Sequence, residues 1–235
     1  MTHPTAEPTR WGRVVAELLV VLAVANVMSN RVLPSAAYVP WNLAVAAVLV
    51  ILGRQLVTPA AMGFTEGRRG LAWGLTILAL TTVVLLVAVW MPAFNDLYHD
   101  KRVEDSLPAM IYQAFIRIPL GTAVLEETAF RAVLPAVFAL RWGVLRGSIA
   151  ASLCFGLWHV LPALHLNTVN PTANSVFGDG SAGVTAAVVF AVVGTMLGGL
   201  FWCWIRFWSR SILSTMLAHV ATNSVAYVIA WGINH

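Results

Sequence analysis

Seven apolar runs, each long enough to cross a bilayer, constrain this sequence more than any other feature. They lie near residues 11-30, 40-57, 71-91, 107-140, 147-163, 181-205 and 211-232. A spanning helix needs about 17 to 25 largely apolar residues. Hydrophobic residues make up 59% of the chain and charged residues only 10%, which excludes a soluble globular protein. The sequence therefore predicts an all-α fold: a polytopic transmembrane helical bundle of about seven to eight helices.

The bundle is predicted as a single integral-membrane domain over residues 1-235. Its fourth run is too long for one span, and Pro119 lies inside it. Proline lacks the amide that continues a helix and disfavours helix at the residue before it. We therefore expect a shorter helix at 107-118 and a second helix from 120. Arg117, at the end of the shorter helix, is expected to extend its charged group to the membrane–water interface, with a cavity-lining role as the alternative.

Basic residues in the connections predict how the chain crosses the membrane. One side holds most of them: Arg10, Arg13, Arg54, Arg68, Arg69, Arg141, Arg146, Arg206 and Arg210. The other side holds Arg31, Lys101 and Arg102, the last two among Asp96, Asp100, Glu104 and Asp105. Because cytoplasmic connections are enriched in Lys and Arg, the N-terminus is predicted to be cytoplasmic and the C-terminus external, in a cell membrane.

The first run also resembles a secretory signal peptide, since Arg10 and Arg13 precede it. A membrane span is preferred, because the run continues to Met28 and Glu17 interrupts its core. The net charge of +4 does not indicate a nucleic-acid partner, because the basic residues are scattered along the chain.

Two glycine pairs predict close contacts between helices. They are Gly70-x-x-x-Gly74 at the start of the third run and Gly194-x-x-x-Gly198 in the sixth. Two longer connections are predicted to be irregular: residues 58-70 as a solvated basic loop, and residues 164-180 as a flexible external loop, with a substrate lid as the alternative.

Three charged side chains interrupt the fourth run: Glu126, Glu127 and Arg131. Ionisable groups at bilayer depth are costly and persist where they face protein, water or a partner charge, so they indicate a functional site. Glu127 and Arg131 are four residues apart and share a helix face, whereas Glu126 points about 100° away from Glu127. We therefore expect Glu127 to pair with Arg131 and Glu126 to face another group.

Other apolar runs supply polar partners: His159 in the fifth, and His219 and Asn223, four residues apart, in the seventh. A rise of ~1.5 Å per residue places Glu126, His159 and His219 about 22, 18 and 12 Å from the cytoplasmic span ends. Tilt and boundary error cover that spread, so we expect these side chains to meet.

A cluster of these side chains could catalyse hydrolysis. A carboxylate and an imidazole can hold a water molecule and remove its proton, and a second imidazole with an amide can stabilise an oxyanion. Glu126, His159 and His219 would also suit zinc, although the His-Glu-x-x-His pattern is absent. The structural alternative is a buried ion pair and polar helix packing without catalysis.

At these residues the chain resembles the CPBP (CAAX protease and bacteriocin-processing, or Abi) intramembrane protease family, which includes the type II CAAX prenyl endopeptidases. Glu126 to Arg131 matches its EExxxR motif, Phe155 to His159 its FxxxH motif, and His219 to Asn223 its HxxxN motif, in the family's order. The resemblance covers roughly the C-terminal half, with the motif-bearing part at about 107-232.

The resemblance implies an all-helical membrane protein that hydrolyses peptide bonds. It assigns Glu126 as general base, His159 as its partner in activating water, and His219 and Asn223 as stabilisers of the oxyanion. Glu127 and Arg131 would support the motif helix. It also favours a metal-free mechanism, with no cofactor and zinc as the alternative, and a peptide or membrane-protein substrate in the lipid bilayer.

Two non-protease hypotheses stay open. One is a membrane scaffold or bacteriocin-immunity protein that keeps the polar cluster for helix packing. The other is a transporter, which the absence of paired discontinuous spans and internal repeats disfavours.

Overall fold

The computed structural model describes residues 8–91, 94, 96–103 and 106–235, so Glu104 and Asp105 lie outside the described residues. Within these ranges the secondary structure is helical, without strands. Six helical stretches are long and apolar enough to cross a membrane: Pro8–Val32, Ser35–Gly53, Pro59–Val89, Leu107–Ala163, Ser181–Ser209 and Ile212–Asn234. The predicted all-α, multi-pass membrane bundle is confirmed.

The α-helices are numbered in chain order. They are α1 (Pro8–Val27), α2 (Tyr38–Gly53), α3 (Pro59–Met62), α4 (Gly67–Val89), α5 (Leu107–Tyr112), α6 (Val124–Glu127), α7 (Leu134–Trp158), α8 (Val160–Ala163), α9 (Leu166–Val169), α10 (Pro171–Phe177), α11 (Ser181–Ser209), α12 (Ile212–Val220) and α13 (Ala226–Asn234). Between them lie short 3-10 turns at Ser35–Ala37 and Asp96–Tyr98 and π-helical segments at Met28–Val32, Gln113–Ala123, Thr128–Val133 and Ala221–Val225.

The predicted helix break at Pro119 is wrong. The chain continues through it as a π-helix, Gln113–Ala123, which joins α5 to α6. In a π-helix each amide bonds five residues back rather than four, so the wider turn accommodates a residue that has no amide. The Gly121 carbonyl accepts a hydrogen bond at 2.9 Å from the Asn42 side chain.

The long stretch Leu107–Ala163 instead folds back at Gly143. This residue has φ +74°, a left-handed conformation that glycine adopts without steric cost. Four residues later, Gly147 lies so close to Ala139 and Pro135 that an added Cβ would be 2.8 Å from the Ala139 nitrogen. The two glycines therefore form the turn and the close approach of a helical hairpin.

The core surrounds the motif-bearing stretch. Residues 125–138 are buried throughout. Helix α1 contributes a buried stripe at helical spacing: Val14, Leu18, Leu22 and Ala25. Helix α2 adds Val45, Ala46 and Leu49. Motif residues thus occupy the centre of the molecule, and the lipid-facing helices enclose them.

One of the two predicted glycine packing surfaces is confirmed within the chain. Gly70 and Gly74 let α4 approach α12, since an added Cβ on Gly74 would lie 2.6 Å from Leu217 Cδ1. The second is not a packing surface here: Gly194 has no described atom within 4 Å of an added Cβ, and Gly198 meets only Trp202 of its own helix at 3.9 Å.

Both connections predicted to be irregular contain short helices. Residues 58-70 hold α3, which Thr58 caps by accepting from the Ala61 amide, and the start of α4. Residues 164-180 hold α9 and α10, the latter capped by Asn170, which accepts from the Ala173 amide at 3.0 Å. The second connection is therefore largely helical. In each stretch, the N-cap residue was the local sequence signal for a helix.

Candidate active site

The paired glutamates lie between two segments of π-helix. Helix α6 ends at Glu127, with Gln113–Ala123 before it and Thr128–Val133 after it. Segments of π-helix are rare and often occur at functional sites, because the wider turn redirects side chains that an α-helix would place elsewhere. Glu127 is fully buried and Glu126 is 7% exposed, so both carboxyl groups are withdrawn from bulk solvent.

Glu127 anchors a buried network that joins two helices. Its Oε1 lies 2.9 Å from His219 Nδ1, which donates the hydrogen bond, and its Oε2 lies 3.5 Å from Arg131 Nε. The Arg131 guanidinium also stacks 3.9 Å above the centre of the Phe155 ring. The expected pairing of Glu127 with Arg131 is confirmed, and His219 is an additional partner.

Glu126, the neighbouring residue, contacts a second tryptophan-bearing helix as well as His219. Trp158 Nε1 donates a 3.0 Å hydrogen bond to its Oε1. Its Oε2 is 3.8 Å from His219 Nε2, within ion-pair range but beyond a hydrogen bond. Among the described residues, no hydrogen bond reaches Oε2. One carboxylate oxygen is thus held in place while the other is available to a water molecule or substrate.

His159 has a defined tautomer. Its Nδ1 lies 2.9 Å from the Phe155 carbonyl oxygen, which can only accept, so Nδ1 carries the proton. Nε2 of a neutral ring is then an acceptor. The ring packs edge-on against Phe155 at 4.6 Å between centroids and is half-buried. Within the described chain, no hydrogen bond or ion pair joins His159 to Glu126.

Asn223 lies in another π-helix, Ala221–Val225, and its side chain is exposed. With Thr222 it lines a cavity of about 1140 Å³ that extends to Arg117 and Thr122. We call this the Asn223 cavity. In the part of the chain that the structure describes, the Asn223 amide makes no hydrogen bond, so its donors are free to bind a ligand there.

Sequence reasoning missed Trp158. Nine of the ten tryptophans lie near ends of the predicted spans, whereas Trp158 precedes His159 inside the fifth run. That departure from the interfacial pattern was the available signal. Arg117, for which a cavity-lining role was the alternative to an interfacial one, lines the Asn223 cavity, and Tyr38 stacks against its guanidinium.

The structure brings together five of the seven candidate residues: Glu126, Glu127, Arg131, Phe155 and His219. His159 adjoins this cluster through Phe155, and Asn223 faces the cavity. Among the described residues, no three His, Cys, Asp or Glu side chains are arranged to hold a metal ion.

The chain matches a known protein family. Residues 108–225 match the model of a family described as type II CAAX prenyl endopeptidase Rce1-like, half of the 235-residue chain. The matched segment contains all three motifs, from Glu126 to Asn223. No curated protein and no solved structure matches the chain.

Proposed function

Because the chain belongs to the type II CAAX prenyl endopeptidase Rce1-like family, we propose that this multi-pass membrane protein hydrolyses peptide bonds with a water molecule that Glu126 and His159 activate. Membrane location and the peptidase class follow from the helices and the family. The mechanism and its residues are our proposal.

Glu126 has the properties of a general base. Trp158 fixes one carboxylate oxygen by a 3.0 Å hydrogen bond, and the other oxygen has no hydrogen-bond partner among the described residues. A carboxylate withdrawn from bulk water and held in one orientation can accept the proton of an attacking water. We assign His159 as its partner, because the Phe155 carbonyl holds the proton on Nδ1 and leaves Nε2 to accept.

His219 and Asn223 are proposed to stabilise the oxyanion of the tetrahedral intermediate. Glu127 orients the His219 ring through the 2.9 Å bond to Nδ1. Asn223 presents its amide donors to the cavity, and a doubly protonated His219 would add its Nε2–H. Preorganised donors aimed at developing charge are usually the largest contribution to acyl-transfer catalysis.

The observation that carries this proposal is the position of His219. Its ring lies between the two adjacent carboxylates, with Nδ1 at 2.9 Å from Glu127 and Nε2 at 3.8 Å from Glu126. Trp158 reaches Glu126 from another helix. Three motifs separated in sequence thus meet at one buried carboxylate.

Cleavage of a farnesylated peptide by the purified protein in liposomes tests the proposal. Glu126→Gln and His159→Ala should each abolish product detected by mass spectrometry, whereas Glu17→Gln, which changes an exposed carboxylate, should not. Turnover by either active-site variant at the native rate would contradict it. An unfarnesylated copy of the peptide shows whether the substrate must be prenylated. Stoichiometric zinc whose chelation abolishes cleavage would contradict the metal-free mechanism.

We also propose that the N-terminus is cytoplasmic and that the Asn223 cavity opens toward the exterior. The cavity is bordered by Asp100 and Arg102, which lie on the opposite side of the predicted topology from Arg68. In intact cells, a membrane-impermeant thiol reagent should label Lys101→Cys and leave Arg68→Cys unlabelled. The reverse pattern would invert the orientation. Both substitutions belong in a background lacking Cys154 and Cys203.

A further inference from the structure

Asn26, near the end of α1, reaches the junction that carries two of the site residues. Its Nδ2 donates a 3.1 Å hydrogen bond to the backbone carbonyl of Trp158. Trp158 ends α7, and His159 follows it before α8 begins at Val160. Trp158 is therefore held at two points: its carbonyl binds Asn26, and its indole N–H binds Glu126 at 3.0 Å.

A proline explains why this carbonyl needs a partner from another helix. In a continuing helix, the Trp158 carbonyl would accept a hydrogen bond from the amide of residue 162, four positions later. Residue 162 is proline, which has no amide hydrogen. The next carbonyl, that of His159, does bind the Ala163 amide, at 3.0 Å. Because an unsatisfied carbonyl is costly inside a membrane, the Asn26 side chain supplies the donor that Pro162 lacks.

Asn30, in the π-helical segment Met28–Val32, fixes the direction of the Asn26 amide. Its Nδ2 donates to the Asn26 backbone carbonyl at 2.8 Å and to Asn26 Oδ1 at 2.7 Å. With its oxygen held in this way, the Asn26 amide directs its nitrogen toward Trp158, whose carbonyl can only accept. Hydrogen bonds thus link Asn30 to the Glu126 carboxylate through one intervening asparagine and one tryptophan.

Helix α1 is tied to both arms of the helical hairpin that turns at Gly143. Near its start, Trp11 Nε1 donates a 2.9 Å hydrogen bond to the Val137 carbonyl, in the arm before the turn. Near its end, Asn26 binds Trp158, the last residue of the arm after the turn. The first arm continues from the paired glutamates, and the second ends at the tryptophan that binds one of them. Helix α1 therefore fixes how the two arms meet.

We propose that Asn26 is a positioning residue of the peptidase reaction, which holds the junction of α7 and α8 so that Trp158 orients the Glu126 carboxylate. The inference rests on the proposed function and adds α1 to the catalytic unit, although α1 lies outside the family-matched residues 108–225. Asn26 acts through Trp158 rather than on the substrate, so its loss should lower kcat and leave KM unchanged.

A double-mutant cycle tests whether Asn26 acts through the indole. Asn26→Leu should lower kcat for a farnesylated peptide about tenfold, because the Trp158 carbonyl then lacks its donor and the junction no longer holds the indole. In the Trp158→Phe background, the same change should lower kcat by less than about twofold. Asn167→Leu, which removes an asparagine bond to the Gly178 carbonyl, should leave kcat unchanged. Equal losses in both backgrounds, or a loss in KM alone, would overturn the proposal.

Pro162→Ala supplies the missing amide and should therefore rescue Asn26→Leu. Pro162 is exposed, so the substitution does not disturb the core. The double variant should recover kcat to within about threefold of the native value, because the Trp158 carbonyl regains a donor. An undiminished loss in the double variant would overturn the role of the carbonyl hydrogen bond.

Fluorine NMR of the protein labelled with fluorotryptophan separates this inference from the proposed reaction, because it needs no cleavage. The resonance that is missing from Trp158→Phe belongs to Trp158. It should shift in Asn26→Leu and keep its position in Asn167→Leu, even if the native protein cleaves no peptide. A resonance unmoved by Asn26→Leu would overturn the assignment. If Asn26→Leu does not fold, judged by thermal unfolding, Asn30→Ala at its exposed position decides: an unmoved Trp158 resonance overturns it.

Discussion

His219 Nδ1 lies 2.9 Å from Glu127 Oε1, and this bond ties α12 to the motif helix across 92 residues of sequence. Both side chains are buried, and Arg131 pairs with the other oxygen of Glu127 at 3.5 Å. The bond orients the imidazole whose second nitrogen faces Glu126. Glu127 and Arg131 therefore position the candidate catalytic groups without needing to contact substrate.

Removing Arg131 should destabilise the protein strongly. Arg131→Met leaves the buried carboxylate of Glu127 without its arginine partner, and breaking a buried pair from one side costs about 3–5 kcal/mol. Thermal unfolding in detergent measures the loss. The double variant Glu127→Gln with Arg131→Met should recover part of it, because no unpaired charge then remains. Arg13→Gln, which removes an exposed pair with Glu17, is the control. Equal effects of Arg131→Met and Arg13→Gln would contradict the role of the pair.

Trp158→Phe should lower kcat while changing the free energy of unfolding little. The change keeps an aromatic ring against Phe130 but removes the only described hydrogen bond to Glu126 Oε1. A bond to a charged group contributes about 1.5–3 kcal/mol, so kcat should fall at least about tenfold. Trp204→Phe, at an exposed indole, should leave kcat unchanged. Native kcat in Trp158→Phe would show that the indole does not position the base.

Local spacing predicted much of the site. The pairing of Glu127 with Arg131 follows from their separation of four residues, and the span count follows from apolar run lengths. The contacts of Glu126 with Trp158 and His219 depend on how three helices are rotated and shifted against one another. No local sequence pattern predicts how the three helices are rotated and shifted. The estimated depths showed only that the side chains could lie at similar levels in the membrane.

Pro119 shows where local rules failed. They predicted a break because a proline lacks an amide, whereas the structure continues through Pro119 as a π-helix. Arg117 lies in the same π-helix and lines the Asn223 cavity. Single-sequence rules describe regular α-helix, and the three motif-associated π-helices depart from it.

The two glycine pairs should respond differently to alanine. Gly74→Ala would place a methyl group 2.6 Å from Leu217 Cδ1 and 2.9 Å from Leu217 Cβ, so it should destabilise the protein by about 1–3 kcal/mol. Gly194→Ala meets no described atom and should be neutral or stabilise by up to about 1 kcal/mol. Thermal unfolding compares them. Equal shifts would contradict the packing of α4 on α12, and a loss with Gly194→Ala would indicate a partner at that surface.

The contact between Asp100 and Asn170 should weaken in acid. Burial alone would raise the pKa of Asp100, but hydrogen bonds from Arg102 and Asn170 outweigh it and hold the pKa below its ordinary value of 3.8. A depressed carboxyl pKa means that the unfolded state binds protons more readily. The stabilisation is therefore present above that ordinary value and is lost as pH falls through the lowered pKa.

Asp100→Asn tests this dependence. At pH 7 the free energy of unfolding of the variant should be about 1 kcal/mol lower than that of the native protein, because the charge-assisted bonds are lost. Thermal unfolding measures this difference. The difference should shrink as the pH falls below 3.8. A difference that stays constant across this range would show that the Asp100 charge does not hold the connection in place.

Single-turnover cleavage by Glu126→Gln tests the central claim most directly, because it separates substrate binding from bond breaking. With a farnesylated peptide in excess lipid, the variant should bind as the native protein does. Its rate constant for peptide-bond cleavage should fall by about 10²–10⁴, the usual contribution of a general base. A native rate constant in the folded variant would contradict Glu126 as the group that activates water.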